Sequence, residues 1–333
     1  MKPFDELTKP GQTRRIRVLA EAALAEYPIK VARLKLIQNS WNVTYRVDTT
    51  RGKTYILRIN RAGPVAHRVE ELEAEMAWVD ALHRETKLGV PQPLANRKKS
   101  LITLAEVPGV PEPRYCAVFG WLPGTVVGSR ISPKNYFKMG QLSAQLHLHG
   151  KTFKPPHPKK ILAHKSPLPY RDKNVLFEPA YRKWFTAKQR DIIKQSMKQT
   201  QAAIDDLFKK RRGKQIIHND LHHWNVMLHQ GKVSPFDFED LMWGFPVQDV
   251  AISLFYVQYH DKFSDLLQAF CQGYETQATW PERYDGEIYH HMAARRLMFI
   301  NYLIQTKDPE DRAFAPDYIK LAEPRLKEYL KSL

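Results

Sequence analysis

The stretch Ile216 to Leu228 places two apolar runs around a polar loop, Ile-Ile-His-Asn-Asp-Leu-His-His-Trp-Asn-Val-Met-Leu, with Asp220 and Asn225 inside it. A second apolar run, Val233, Pro235 and Phe236, then delivers Asp237-Phe238-Glu239-Asp240. The order strand, aspartate, asparagine, strand, aspartate can bring two carboxylates and a carboxamide to one place. These are hard oxygen ligands and a base, the set that Mg²⁺-assisted phosphoryl transfer requires. His218, His222, His223 and His229 crowd the same stretch, but their spacing is loose and no cysteine assists, so zinc is not expected. His218 reads as a scaffold hydrogen-bonder and His222 as an organiser of the loop.

Elements on both sides must hold such a loop in place. From Arg33 to Val47 the chain reads as strand, turn and strand: Leu34, Leu36 and Ile37, then Asn39-Ser40-Trp41-Asn42, then Val43, Tyr45 and Val47 alternating with polar residues. Arg51-Gly52-Lys53 is a turn, and Tyr55 to Ile59 is a third strand, so the three make an antiparallel meander. A helix is predicted over residues 66–84, with Val69, Leu72, Met76, Val79 and His83 on one side. Glu75 falls on that apolar arc, while Glu70 and Glu73 point elsewhere, so one acid is directed inward and needs a cation. Arg58, at the end of the third strand, is its expected partner. Tyr115 to Leu122 is a strongly apolar strand stopped by Pro123-Gly124, where the boundary between two domains is expected. Helices are predicted over 135–149, 178–209, 247–259, 262–274 and 287–305, and Lys151 to Tyr170, rich in proline and lysine, reads as a surface loop.

The chain has 333 residues, 43% hydrophobic and 26% charged, which suits about two globular domains rather than a disordered or fibrous protein. Its formal charge of +17 is unevenly placed. Residues 151–215 hold 18 basic and 5 acidic residues, whereas 216–333 hold 11 basic and 17 acidic. The basic block suits anionic partners or a solvated cationic surface equally well, and with no recognised nucleic-acid motif beside it nucleic acid is not an expected partner. Two distant cysteines, Cys116 and Cys271, indicate no disulfide framework and fit a reducing compartment. The first residues carry Asp5 and Glu6 and lead into no apolar signal core, and no stretch reaches the ~18 apolar residues of a membrane span. A cytoplasmic location without membrane association is expected.

Protein kinases carry H-R-D-L-x-x-x-N followed by D-F-G. Here the corresponding residues are His218-Asn219-Asp220-Leu221 with Asn225, then Asp237-Phe238-Glu239. The spacing from Asp to Asn is the same, but Asn219 replaces the arginine and Glu239 the glycine, and His222 stands inside the loop. In those departures the chain resembles the aminoglycoside phosphotransferase family, whose pattern is H-G-D-x-H-x-x-N followed by D-x-D. It is closest in feel to the bacterial stress-response kinase and type II homoserine kinase branch. The resemblance covers about residues 30–300 and takes in Asn39 to Val47, Tyr55 to Arg58, Leu142 to His147 and Gly244 to Ala251.

That resemblance implies an α+β, protein-kinase-like two-lobe fold: a small N-terminal antiparallel-sheet lobe over 1–120 that binds nucleotide, and a larger, mainly helical catalytic and acceptor-binding lobe over 121–333. It implies ATP and Mg²⁺ as cofactors, with Asp220 the catalytic base and Asn225 and Asp237 the metal ligands. Asn39, Ser40 and Asn42 would cover the phosphates, Arg58 fixed by Glu75 would grip them, and Phe119, Trp121 and Leu122 would hold adenine. Asp249 is implied as a structural acid. The expected acceptor is a hydroxyl on a small alcohol, sugar or amino alcohol. A protein Ser/Thr, as in the stress-response type, and a catalytically silent nucleotide-binding fold are the alternatives. Acids such as Asp261, Asp265 and Glu275 suit an aminoglycoside, but the basic block argues against a cationic acceptor.

Overall fold

The computed structural model describes residues 2–209 and 212–333; Met1 of the N-terminal segment and Lys210 and Arg211 of the basic block lie outside the described residues. Two compact units are present. One comprises Met1–Thr125, Lys154–Ile161 and Met227–Glu239, the other Val126–Phe153, Leu162–Val226 and Asp240–Leu333.

The first unit is built on an antiparallel sheet of β1 (Val31–Asn39), β2 (Val43–Thr49), β3 (Thr54–Ile59), β4 (Pro93–Leu94), β5 (Thr103–Ala105) and β6 (Arg114–Gly120). Its order is β1-β2-β3-β6-β4, with β5 also pairing β6. The period-2 alternation seen in the sequence sends Tyr45, Val47, Leu57, Ile59, Cys116 and Val118 into one core. That core is closed by α1 (Lys9–Ala25), whose Ile16, Leu19, Ala20, Ala23 and Leu24 form a helical stripe and whose Thr8 cap accepts from Gly11 N at 3.4 Å. This helix is not foreseen in the sequence reading. On a second small core, Ala117 and Phe119 of β6 pack with Met76 of α2 (Val69–Glu85). The helix starts at Val69 rather than at 66 because Glu71 turns back to accept from Arg68 N at 2.9 Å, which sets the N-terminus there.

In the second unit helices dominate: α3 (Pro133–Thr152), α4 (Ala187–Lys209), α5 (Pro246–Phe255), α6 (Phe263–Glu275), α7 (Glu287–Gln305) and α8 (Pro309–Lys331). The single helix expected over 178–209 is instead a 3-10 turn, Pro179–Trp184, followed by α4. The break is local: Gln189 N donates to Thr186 Oγ1 at 3.2 Å and Thr186 N to Gln189 Oε1 at 2.9 Å, a reciprocal cap that starts a new helix. α5 stops at Phe255, before the expected 259, because the chain tightens into i to i−3 bonds from Val257 to His260. α8 is unforeseen, and Pro316 and Pro324 lie inside it. Each proline removes one helical bond, but Ala315, Ile319, Ala322, Leu326 and Tyr329 are buried along one stripe, and that packing offsets the loss.

Short strands complete the frame. β7 (Thr125–Val126), β9 (Val226–His229) and β10 (Lys232–Pro235) form one small sheet, and β8 (Gln215–Ile217) pairs antiparallel with β11 (Met242–Gly244). The stretch from Lys151 to Tyr170 is irregular after α3, as its prolines suggest, but it is not all surface: Ile161 and His164 are buried.

Glycine sets the closeness of α3 and α6. A Cβ at Gly140 would stand 2.0 Å from Phe270 O, and one at Gly273 would stand 1.9 Å from Phe137 O. Gly140→Ala is therefore expected to force the two helices apart and cost about 1–3 kcal/mol of stability. A melting curve coincident with that of the parent chain would show that the helices can separate freely.

Candidate active site

The polar loop of the second unit follows β8, whose Ile216 and Ile217 are fully buried and paired with Trp243 and Met242 of β11. Its backbone is fixed by Asp249 in the first turn of α5. That buried carboxylate accepts from Asn219 N at 2.7 Å and His218 N at 3.1 Å, and its Oδ2 lies 3.1 Å from His147 Nε2 on α3. His147 Nδ1 is in turn 2.8 Å from the Tyr274 hydroxyl on α6. Burial pushes the Asp249 carboxyl up, but the bond from His147, the nearby His218 and the backbone amides hold it below the usual carboxylate range. Asn219 sits at φ 64°, the left-handed region where glycine stands in the H-G-D pattern. Asparagine tolerates that conformation best among residues with a Cβ, and its side chain adds contacts glycine lacks. Its Oδ1 is 2.7 Å from His164 Nδ1, and its Nδ2 donates to the Tyr170 hydroxyl at 3.2 Å. Burial depresses His164 to about 4, so the ring is neutral at physiological pH.

Asp220 is thus presented on a rigid turn. Asn225 Nδ2 donates to its carboxylate at 2.8 Å and to its backbone oxygen at 3.0 Å, and His222 Nε2 lies 3.4 Å away. Arg295 of α7 donates from Nη2 to the other carboxylate oxygen, and the same guanidinium reaches the hydroxyls of Tyr170 at 3.3 Å and Tyr256 at 3.2 Å. Burial raises the Asp220 pKa, but His222 and Arg295 more than offset it, and the carboxyl is held far below the ordinary range. Arg295, Tyr170 and Tyr256 are absent from the sequence reading. The one available clue was Arg295-Arg296 interrupting the apolar stripe of Ile288, Met292, Leu297 and Ile300, all buried on α7.

The first unit gathers a second charged group. Arg58 and Glu75 form a two-bond pair at 2.7 and 2.5 Å, with both side chains buried. Arg58 Nη1 also lies 3.7 Å from Asp237 and 3.8 Å from Glu239, and its guanidinium stands 5.3 Å from the centre of the Phe119 ring. Desolvation lowers the Arg58 pKa, yet Glu75 and Glu239 outweigh it, so the guanidinium stays charged. Glu239 accepts from Asn42 Nδ2 at 2.6 Å and Asn60 Nδ2 at 3.2 Å. In the sequence Glu239 stands where protein kinases carry a glycine, and the second acid of the D-x-D pattern is the signal that points to it. Asp237 itself holds φ 65°, a turn that separates its side chain from that of Phe238, which packs edge-on against Trp78 at 5.3 Å. Asn39, Ser40, Trp121 and Leu122 are not drawn into this group. Asn39 donates to Thr13 at 3.0 Å, Ser40 accepts from Gln38 at 2.5 Å, and Trp121 is 37% exposed beneath Arg46.

With both halves described, comparison with known proteins gives the lineage. Residues 33–285 match the sequence model of the phosphotransferase enzyme family. The chain belongs to that family. It is accordingly an ATP-dependent phosphotransferase. A curated relative, the amicoumacin kinase of Bacillus subtilis (strain 168), is 24% identical over 285 residues, which cover 78% of this chain and 75% of the relative. Among solved structures, a microcompartment-associated aminopropanol kinase superposes with a TM-score of 0.78 at 18% identity, covering 95% of this chain and 98% of that one. The amicoumacin kinase hAmiN, in complex with AMP-PNP, Ca²⁺ and Ami, gives 0.68 at 19% identity and 96% of each chain. The fold of this family member is the expected kinase-like α+β one, with an antiparallel sheet in the N-terminal lobe and a mainly helical C-terminal lobe. No described helix is long and apolar enough to cross a membrane.

Glu75→Leu leaves Arg58 buried with only the more distant Asp237 and Glu239, and is expected to cost about 3 kcal/mol. The double change Arg58→Met with Glu75→Leu should recover a good part of that in denaturant unfolding, because neither charge is then stranded. A double variant no more stable than Glu75→Leu would mean that the pair is not what the core responds to.

Proposed function

We propose that this chain transfers the γ-phosphate of ATP, as its Mg²⁺ complex, to a hydroxyl of a small molecule such as an alcohol, a sugar or an amino alcohol. The observation that carries the reading is Asp220, a carboxylate kept ionised and held at fixed orientation by Arg295, His222 and Asn225. Phosphoryl transfer has a loose transition state, so alignment of the nucleophile matters more than a strong base. Asp220 is the group that accepts the hydrogen bond, and then the proton, of the attacking hydroxyl.

Asn225 spends both of its contacts to Asp220 through Nδ2, and among the described residues its Oδ1 accepts no hydrogen bond. That oxygen is of the hard type Mg²⁺ takes, as is the Asp237 carboxylate. Asn225 and Asp237 are the ligands we assign to the cation, whose charge, when bound, would neutralise that of the β- and γ-phosphate oxygens. Arg58, immobilised by Glu75, serves the α- and β-phosphates. Phe119, Trp121 and Leu122 serve the adenine, and Asn39 and Ser40 of the hairpin serve the phosphates. Asn42 donates to Glu239, so a phosphate would have to compete for that amide. In this reading residues 1–120 bind nucleotide and 121–333 carry the catalytic loop and the acceptor. A reducing cytoplasm supplies ATP and Mg²⁺ and suits the free Cys116 and Cys271.

The side chains that contact Asp220 are a guanidinium, an imidazole and a carboxamide, with two phenols behind the guanidinium. That surrounding favours a hydroxyl on a neutral or mildly charged molecule over a polycation. The relatives named as amicoumacin kinase and aminopropanol kinase support small hydroxyl compounds as the class to test.

Asp220→Asn is expected to lower kcat by about 10²–10⁴-fold while leaving the ATP dissociation constant nearly unchanged. Near-normal transfer by that variant, measured as acceptor-dependent ADP release, would remove Asp220 from the mechanism. Asp237→Asn should instead weaken Mg·ATP binding itself.

A pH profile tests the arginine. A carboxylate whose folded pKa is depressed stays charged down to that lower value, so Asp220 should not set the acid limb of kcat/KM in the parent enzyme. In Arg295→Gln the depressing cation is gone, the Asp220 pKa rises, and an acid limb should move up in pH towards the ordinary carboxylate range of about 4. An unshifted profile would show that Arg295 does not act on Asp220.

A further inference from the structure

α7 carries two adjacent arginines that face different surroundings. Arg295 reaches Asp220, whereas Arg296 lines a separate cavity of about 240 Å³ together with Gln258, Tyr259, Tyr289, Arg325 and Glu328. Arg296 is only 2% exposed, and its Nη2 donates to Gln258 Oε1 at 2.9 Å. Its guanidinium stands 4.8 Å from the Phe255 ring centre and 5.2 Å from that of Tyr259. Arg325 of α8 lies 3.6 Å over the same Tyr259 ring. Two guanidiniums therefore share one aromatic ring.

Among the described residues neither is ion-paired with a carboxylate. The acid of the lining is Glu328, which is exposed. Burial depresses the Arg325 pKa, and repulsion from Arg296 depresses it further. A buried cation such as Arg296 without a counter-ion is costly, and the half-buried Arg325 beside it adds to that cost. Aromatic rings soften that cost through their negative faces but leave the in-plane N–H donors of each guanidinium unneutralised. The cavity offers such donors beside the flat apolar walls of Tyr259 and Tyr289.

We propose that this cavity is a binding site for a small organic anion, a phosphate ester or a carboxylate, whose charged group meets Arg296 and Arg325 and whose flat apolar body lies against Tyr259 and Tyr289. The site is distinct from the one around Asp220. The guanidiniums are pre-placed by the rings, so little side-chain ordering opposes binding. The doubly charged member of the class is favoured because it meets two cations, and arginine matches phosphate and carboxylate oxygens in pairs of bonds.

The test is calorimetric titration of phenyl phosphate, and separately of benzoate, into the full chain with ADP and Mg²⁺ saturating the nucleotide site. Saturable binding is expected, weakened about tenfold or more by Arg325→Gln and less by Arg325→Lys, which keeps the charge but loses the paired bonds and the stacking. Phenyl phosphate binding more tightly than benzoate points to a phosphate ester as the ligand; equal binding points to a carboxylate. Glu328→Gln, a change at an exposed position that does not threaten folding, should tighten both. No saturable heat with either probe, a titration of Arg325→Gln that superimposes on the parent, or no gain with Glu328→Gln would overturn the proposal.

Discussion

One buried carboxylate holds the polar loop of the second unit in shape. Asp249 accepts two consecutive backbone N–H groups, those of His218 and Asn219, at the point where the chain leaves β8 and turns into the left-handed conformation of Asn219. Those two donors cannot enter the short ladder between β8 and β11, and buried without a partner each would cost about 1–3 kcal/mol. A neutral acceptor could meet them, but an ionised one at the first turn of α5 also gains from the helix N-terminus. Its own charge is then answered by His147 from α3, which leans on Tyr274 from α6. One side chain thus ties three helices to the loop, and Asp220 inherits its position from that tie.

The same economy governs the charges of the candidate site. Arg58 is buried against Glu75, and Asp220 against Arg295, so each of these ions is held by a partner whose main service is orientation. Such pairs add little net stability, because desolvation consumes most of the attraction. What they give is a fixed geometry: the guanidinium of Arg58, making two bonds to one carboxylate, has few ways to move, and Asp220 is pinned by one bond from Arg295 and another from Asn225. Arg58 keeps a further edge 3.7 Å from Asp237, and Asp220 keeps a nearby imidazole. Each ion is therefore immobilised without being wholly used up.

How much of this could be read from the sequence follows from range. The loop was legible because its chemistry is local: Asp220 and Asn225 are bonded to each other within one turn, and the apolar runs around them are strands. Glu75 was legible as an inward acid because helical periodicity fixes direction, and Arg58 as its partner because strand and helix follow in order. Arg295 was not, since its bond to Asp220 spans 75 positions and nothing local marks an arginine in an apolar stripe as functional. Glu239 was hidden by comparison with the wrong pattern, in which a glycine stands there. α1 and α8 escaped for opposite reasons. α1 is polar enough that its stripe is faint, whereas α8 contains two prolines that read as breaks although packing overrides them.

On the proposed role of Asp220 as proton acceptor, its contact with Arg295 also constrains the reaction. A carboxylate held by a guanidinium is a weaker base than a free one, which would be a handicap if the reaction needed its acceptor deprotonated early. In a loose transition state the hydroxyl is still largely protonated when the phosphoryl group is half transferred, so a weak, well-placed acceptor loses little. The guanidinium has a second consequence. Once the proton arrives, the neutral carboxyl no longer balances Arg295, and the buried cation is left with the hydroxyls of Tyr170 and Tyr256. That imbalance opposes retention of the proton on Asp220 and favours its loss to solvent before the next turnover. On the proposed role, the arginine that would make Asp220 a poor base would also help to restore it.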